Sequence, residues 1–177
     1  MRTDRGFTLV EILVVILIIG VLLAMTMPRF AVFREQARVA AMKMNLHNIQ
    51  TVIEAYHAEK GHYADDFYED EYGWYFPGGI EEEEMGKLPL NPWTGREMDP
   101  DEFNVEDYDY ESDCSNTAED GPNDQDGYYP GEVIYAVYDP PGTLYPTNYG
   151  LVGINGHGIS IRSLNADDEV VIFVLHN

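Results

Sequence analysis

The chain has 177 residues and a net charge of −22, so it is long enough for one modest domain and an appendage. The charge is uneven: residues 1–60 carry a net charge of +2, residues 61–126 a net charge of −20 and residues 127–177 a net charge of −4. The acidic middle third repels nucleic acid and anionic lipid, because both are polyanions. We therefore expect no nucleic-acid partner, and cations are the better partners for this surface.

The sequence lacks the common catalytic motifs. It contains no H-E-x-x-H zinc motif, no G-x-S-x-G and no P-loop. A single cysteine, Cys114, allows no disulfide within the chain. His57, Glu59 and His62 lie close in sequence, but we interpret them as the exposed end of a helix rather than as metal ligands. The sequence therefore predicts a protein that is not an enzyme, with no catalytic residue.

The start of the chain contains the stretch RGFTLVEILVVILIIGVLLAMTMP at residues 5–28, which is almost wholly apolar from Phe7 to Pro28. At about 1.5 Å per residue, a helix of this length crosses a hydrocarbon layer of roughly 30 Å. A secretory signal peptide fits poorly, because the run is long and no A-x-A site closes it. A plain membrane anchor explains the hydrophobicity. It explains the carboxylate of Glu11 only if that group reaches the interface, since a charge inside the bilayer costs roughly 3 kcal/mol.

The stretch Gly6-Phe7-Thr8-Leu9-Val10-Glu11 at the head of this run resembles the type IV pilin and pseudopilin family. In that family a short basic leader ends in Gly, and a membrane peptidase cuts after this Gly on the cytoplasmic side. The same enzyme methylates the new terminal amine. The resemblance implies a leader of residues 1–6, cleavage between Gly6 and Phe7, and N-methylation of Phe7. It also implies that the precursor is a single-pass protein of the inner membrane.

The resemblance also implies a role for Glu11, which would be the fifth residue of the mature chain. In the filament its carboxylate would pair with the α-amine of Phe7 in a neighbouring subunit. A buried charge pair adds little stability but is costly to break, so Glu11 would act mainly as a device that sets the subunit register. Arginines flank the apolar run on both sides, and the positive-inside rule therefore leaves its orientation open.

Residues 29–60 predict that the helix continues beyond the membrane-spanning residues 7–28. One apolar stripe has spacings of 4, 3, 4 and 3 residues: Met42, Leu46, Ile49, Ile53 and Tyr56. Gly61 is suited to cap the helix C-terminus. Pro28 predicts a kink or a local opening at the membrane edge, and the family is known for a proline at this depth. A continuous helix from Phe7 to Lys60 would be about 80 Å long.

The remaining sequence predicts an acidic, loop-rich region over residues 61–130 and an antiparallel sheet over residues 131–177. Strands are expected in four β-branched and aromatic stretches, at residues 132–138, 148–154, 158–161 and 169–175. Asn155-Gly156 suits a tight hairpin turn. The predicted fold class is α+β, with the sheet packed on the second half of the long helix, as in the pilin family.

The run E-D-G-P-N-D-Q-D-G at residues 119–127 is a candidate calcium loop. Hard oxygen ligands from Asp120, Asp124 and Asp126 lie near Gly127, although Pro122 breaks the EF-hand pattern. The family commonly fixes its C-terminal region with a disulfide, which this chain cannot form. We therefore expect Ca²⁺ as a possible ligand here, and the alternative is a solvated acidic loop.

The predicted function is that of a structural subunit of a type IV pilus-like filament. The family's partners would be the prepilin peptidase and methyltransferase, an inner-membrane assembly platform, and further copies of this chain joined through their N-terminal helices. The filament would lie on the cell surface or in the periplasm. One alternative is a pseudopilin of a type II secretion system. A second is a membrane-tethered protein that binds a cation or another ligand.

Overall fold

A computed structural model describes residues 6–68, 71–117 and 128–177. Its first helix, α1, covers Leu9–Lys60 and contributes to both compact units of the chain, the first of which ends at Ala37. Gly61 ends the helix with φ at +81°, and its N–H donates to the carbonyl oxygen of His57 at 2.8 Å. The predicted C-cap is therefore confirmed, since a left-handed residue at this position suits glycine.

The first unit consists mainly of the apolar half of α1. The stretch Leu9–Met27, 19 residues long, has the length and composition of a membrane-crossing helix, and its side chains are exposed. Exposed apolar side chains continue beyond it at Phe30, Val32 and Phe33. Position 28 lies within α1, and the kink predicted at Pro28 stays a prediction.

The second unit, Arg38–Asn177, contains the rest of α1 and every strand that the structure describes. Its further elements are β1 (Phe103–Asp107), α2 (Glu111–Cys114), β2 (Val133–Tyr138), β3 (Asn148–Gly153), β4 (Arg162–Leu164), β5 (Val170–Ile172) and β6 (Val174–His176), with short 3₁₀ turns at Tyr72–Tyr75 and Pro100–Glu102. The main sheet has the order β1-β2-β3-β6, and β4 pairs with β5 in a separate hairpin.

The antiparallel sheet predicted near the C-terminus is confirmed in the pairs β2/β3 and β3/β6. The structure adds β1, which runs parallel to β2 and comes from the region interpreted as mostly loop. The strand expected at residues 158–161 is reduced to a single bridge between Ile154 and Ser160. The strand expected at residues 169–175 is divided: β5 pairs with β4, and β6 joins the main sheet.

The main core lies between the sheet and the second half of α1. All five residues of the predicted apolar stripe are buried, four of them completely: Met42, Leu46, Ile49, Ile53 and Tyr56. Alternate residues of β3 point to the two faces of the sheet, so Leu151 joins this core and Val152 joins a smaller cluster on the other face. The apolar stripe of α1 therefore faces the sheet, as its helical spacing predicts.

Tyrosine hydroxyl groups connect the segment that follows α1 to the sheet. The Tyr72 and Tyr135 hydroxyls lie 2.8 Å apart, and Tyr135 donates to the Ala64 carbonyl oxygen at 3.0 Å. The Ala64 N–H donates to the Tyr72 hydroxyl at 2.9 Å. Cys114 is buried as a free thiol. In a chain without a disulfide, these buried and satisfied hydrogen bonds join the loop after α1 to the central strand β2.

Candidate functional site: the N-terminal segment

Thr8 and Glu11 form a reciprocal cap at the start of α1. The Glu11 carboxylate oxygen Oε2 accepts hydrogen bonds from the backbone N–H and from the hydroxyl of Thr8, both at 2.8 Å. The Glu11 N–H donates to the Thr8 hydroxyl oxygen at 3.3 Å. With Thr8 at the N-cap and Glu11 three residues later, this is a capping box, which satisfies backbone donors that a helix start leaves free.

Sequence reasoning missed Thr8 as a functional residue, although the signal was present. A Thr followed three residues later by Glu, just before an apolar run, indicates a capping box. The family resemblance gives Glu11 only a partner outside its own chain. The structure gives this carboxylate a partner within the chain, so the isolated subunit does not leave it without hydrogen bonds.

Gly6 and Phe7, the residues of the predicted cleavage site, precede α1 in non-helical backbone. The Phe7 side chain is 83% exposed. A peptidase must reach the scissile carbonyl and its neighbouring amide, and a helical hydrogen bond would compete for both groups. The geometry is compatible with cleavage here, and the cleavage and methylation themselves stay predictions.

The predicted calcium ligands Asp120, Asp124 and Asp126 lie outside the described residues. Within the described ranges, one group of potential metal ligands has its atoms within 4.8 Å of one another: Asp65, Asp66 and Glu71. The Glu71 Oε2 atom already accepts from the backbone N–H groups of Asp65 and Asp66, at 3.1 and 3.0 Å. Burial, with the nearby aspartates, raises the pKa of Glu71 to about 7.

The two histidines near the end of α1 pack against tyrosines. The His57 ring stacks on Tyr63 with centroids 4.2 Å apart, and the His62 ring stacks on Tyr145 with centroids 3.7 Å apart. The intervening acid, Glu59, lies 3.6 Å from the Lys60 ammonium group. These contacts support the interpretation of this segment as a helix end rather than a metal site.

Comparison with known proteins supports the assignment of the N-terminal segment. Residues 1–27 match the family described as the prokaryotic N-terminal methylation motif. The chain is also similar to the type IV major pilin protein PilA of Myxococcus xanthus (strain DK1622), with 37% identity over 62 residues. That match covers 35% of this chain and spans 28% of the relative's length. No solved structure matches the chain.

The matched residues coincide with the features described above. They include the Gly6-Phe7 bond and the capping box of Thr8 and Glu11, and they end with the apolar stretch Leu9–Met27. Such a segment fits a membrane-anchored precursor, and the family consists of structural subunits. In its methylation motif, its apolar first helix and its α+β architecture, the chain is similar to the type IV pilin and pseudopilin family.

Proposed function

We propose that this chain is the precursor of a filament subunit. It is cleaved between Gly6 and Phe7, N-methylated at Phe7 and polymerised through its N-terminal helix. The observation that carries the proposal is the Gly6-Phe7-Thr8-Leu9-Val10-Glu11 arrangement at the head of an exposed apolar helix. Its partners would be the prepilin peptidase and methyltransferase, an inner-membrane assembly platform and other copies of the chain.

The apolar surface of α1 supports polymerisation as well as membrane anchoring. Each Å² of apolar surface left in water costs a subunit about 25 cal/mol of free energy. Lipid covers a stretch such as Leu9–Met27 before assembly. Phe30, Val32 and Phe33 extend the exposed apolar surface past that stretch. Packing against helices of other copies would cover the whole surface, including the part that a bilayer does not reach.

Glu11 is proposed to change partners during assembly. In the subunit, Thr8 donates to its carboxylate. After cleavage a cationic α-amine appears at Phe7, and in the filament such an amine from a neighbouring copy would pair with Glu11. An ammonium donor adds an attraction between opposite charges that the neutral Thr8 hydroxyl cannot supply, and this attraction is stronger in an apolar surrounding. A misplaced copy would leave two charges unpaired, which is why the pair would set the register.

A surface pilus is the favoured destination, and a pseudopilin of a type II secretion system is the alternative. The relative identified above is a major pilin by name, which supports the pilus. The test is to shear native cells and to measure how much of this chain is released, which distinguishes a pilus subunit from a pseudopilin. A pilus subunit is abundant in sheared filaments that electron microscopy shows to contain it. A chain found only in the membrane and periplasmic fractions would contradict the pilus and favour the secretion system.

A further inference from the structure

A cleft of about 620 Å³ lies at β1, an edge strand of the main sheet. It is bounded by Asn104, Val105 and Glu106 of β1 and by the loop segments around residues 66–68 and 128–132. Its volume falls within the range of about 300–1,000 Å³ that is typical of ligand sites. Neither the capping box nor the apolar surface of α1 contributes to it, so the proposed filament role leaves this cleft without a function.

The cleft combines carboxylates with aromatic rings. Its acidic residues are Asp66, Asp101, Glu106 and Glu132, and its aromatic residues are Phe67, Tyr68, Phe103, Tyr128 and Tyr129. Among the described residues that line it there is no Lys, Arg or His. The cleft therefore concentrates negative charge between aromatic walls, and the described residues that line it supply no cationic side chain.

Hydrogen bonds fix tyrosines beside the carboxylates. The Tyr68 hydroxyl donates to Asp101, and the Tyr128 hydroxyl donates to Glu106. Each of these contacts places an aromatic ring next to a negative charge. Because the residues of each pair are already joined, a ligand would meet a site whose side chains lose little further freedom on binding.

Glu132 is the most deeply placed acid of the cleft, with 9% of its surface exposed. Its Oε2 atom accepts from the Tyr129 N–H at 2.9 Å and from the Asn104 side-chain amide at 3.2 Å. Both donors are neutral amides. A buried carboxylate that accepts from these two neutral amides remains a favourable partner for a cation that enters the cleft.

The arrangement favours an organic cation over a metal ion. A metal ion needs oxygen ligands that converge on one point. Of the four cleft carboxylates, only Asp66 belongs to the group of ligand atoms that lie within 4.8 Å of one another. The others are interleaved with aromatic rings, whose faces attract guanidinium and ammonium groups. We propose that this cleft binds a guanidinium or alkylammonium group, carried by a free small molecule or by a basic side chain of a peptide.

Calorimetry on the full chain in detergent micelles, at about 0.15 M NaCl, tests the proposal. The probe is N-acetyl-L-arginine methylamide, and N-acetyl-L-citrulline methylamide is its neutral analogue. We expect saturable binding of the arginine probe only. Asp101→Asn and Tyr129→Ala should each weaken it about fivefold, because one removes a charge and the other an aromatic face. Glu83→Gln, which removes one charge at an exposed position outside the cleft, should leave the affinity unchanged.

Two further probes identify the source of the cation. Agmatine represents a free small molecule, and acetyl-Gly-Arg-Gly-amide represents a peptide side chain. Tighter binding of either supports the proposal and indicates which source the cleft prefers. Equal affinity for the arginine and citrulline probes would overturn the proposal. So would an equal loss of affinity in Asp101→Asn and Glu83→Gln, since that result would reflect only the overall negative charge.

Discussion

The backbone of β3 at Gly150 lies directly against the carbonyl oxygen of Cys114 at the end of α2, with no space for a Cβ between them. Three residues along the strand, a Cβ at Gly153 would meet the Met42 Cγ atom at 2.9 Å. The two glycines face opposite sides of the sheet. At residue 150 the obstacle is backbone, whereas at residue 153 it is a flexible side chain that can move.

We predict that Gly150→Ala lowers the free energy of unfolding by about 2 kcal/mol, because α2 or β3 must shift to admit the methyl group. Gly153→Ala, the matched change on the same strand, should cost less than about 1 kcal/mol. Thermal unfolding of the full chain in micelles measures both variants. A Gly150→Ala variant as stable as wild type would show that the close contact with Cys114 does not constrain the fold.

The capping box separates two roles of Glu11. Glu11→Gln keeps an oxygen that can accept from Thr8 but removes the charge, whereas Thr8→Ala removes the cap but keeps the charge. We predict that Glu11→Gln prevents or severely slows filament assembly. Thr8→Ala should destabilise only the helix start, by about 1 kcal/mol, and still assemble. Filament number and length from electron microscopy distinguish the variants. Normal filaments from Glu11→Gln would refute the charge-pairing account.

We predict that Glu71 makes the stability of the second unit dependent on pH. Burial raises its pKa to about 7 from an ordinary value of 4.5, so the folded chain binds a proton that the unfolded chain has released between these values. Stability therefore falls as the pH rises from about 4.5 to about 7 and then levels off. The loss should be about 1 kcal/mol, since the group is partly exposed and screened.

Glu71→Gln is the matched variant for this pH effect, because it keeps an oxygen for the N–H groups of Asp65 and Asp66. Denaturant unfolding between pH 4.5 and 8 measures the free energy of both chains. We predict that the wild type loses stability relative to the variant as the pH rises. Parallel curves over this range would show that the carboxylate of Glu71 titrates near its ordinary value.

The calcium prediction for residues 119–127 stays open to a direct test. We predict that millimolar Ca²⁺ raises the melting temperature of the full chain in micelles more than Mg²⁺ does, because Mg²⁺ gives up its waters reluctantly. Combining Asp124→Ala with Asp126→Ala should remove the response. Combining Asp65→Ala with Asp66→Ala is the control and should leave it intact. Equal responses to Ca²⁺, Mg²⁺ and added NaCl would indicate general screening and contradict a specific loop site.

The sequence predicts correctly those elements whose buried face follows from the spacing of their own apolar residues. The stripe from Met42 to Tyr56 repeats with the helical period, so its buried face could be read directly from the sequence. The segment 169–175 is predicted as one strand because it is rich in β-branched and aromatic residues. In the structure the Phe173 N–H donates to the Ile161 carbonyl oxygen, and the strand divides at that residue.

The features that sequence reasoning missed depend on distant partners. β1, Phe103–Asp107, is short and acidic, and its parallel pairing with β2 is specified by contacts that no local pattern carries. The hydroxyl contact between Tyr72 and Tyr135 joins residues 63 positions apart. The cleft at β1 likewise assembles three separate segments of the chain, and most of its lining comes from the acidic region, which in sequence resembles a solvated loop.

Mass spectrometry of the native protein tests the central claim most directly. The account predicts a chain that begins at Phe7, is shortened by residues 1–6 and carries one added methyl group on its terminal amine. The Gly6-Phe7 bond precedes α1, and residues 1–27 match the N-terminal methylation motif. A native chain that retains Met1, or one that begins near Ala24 as a secretory signal peptide would leave it, would contradict the account.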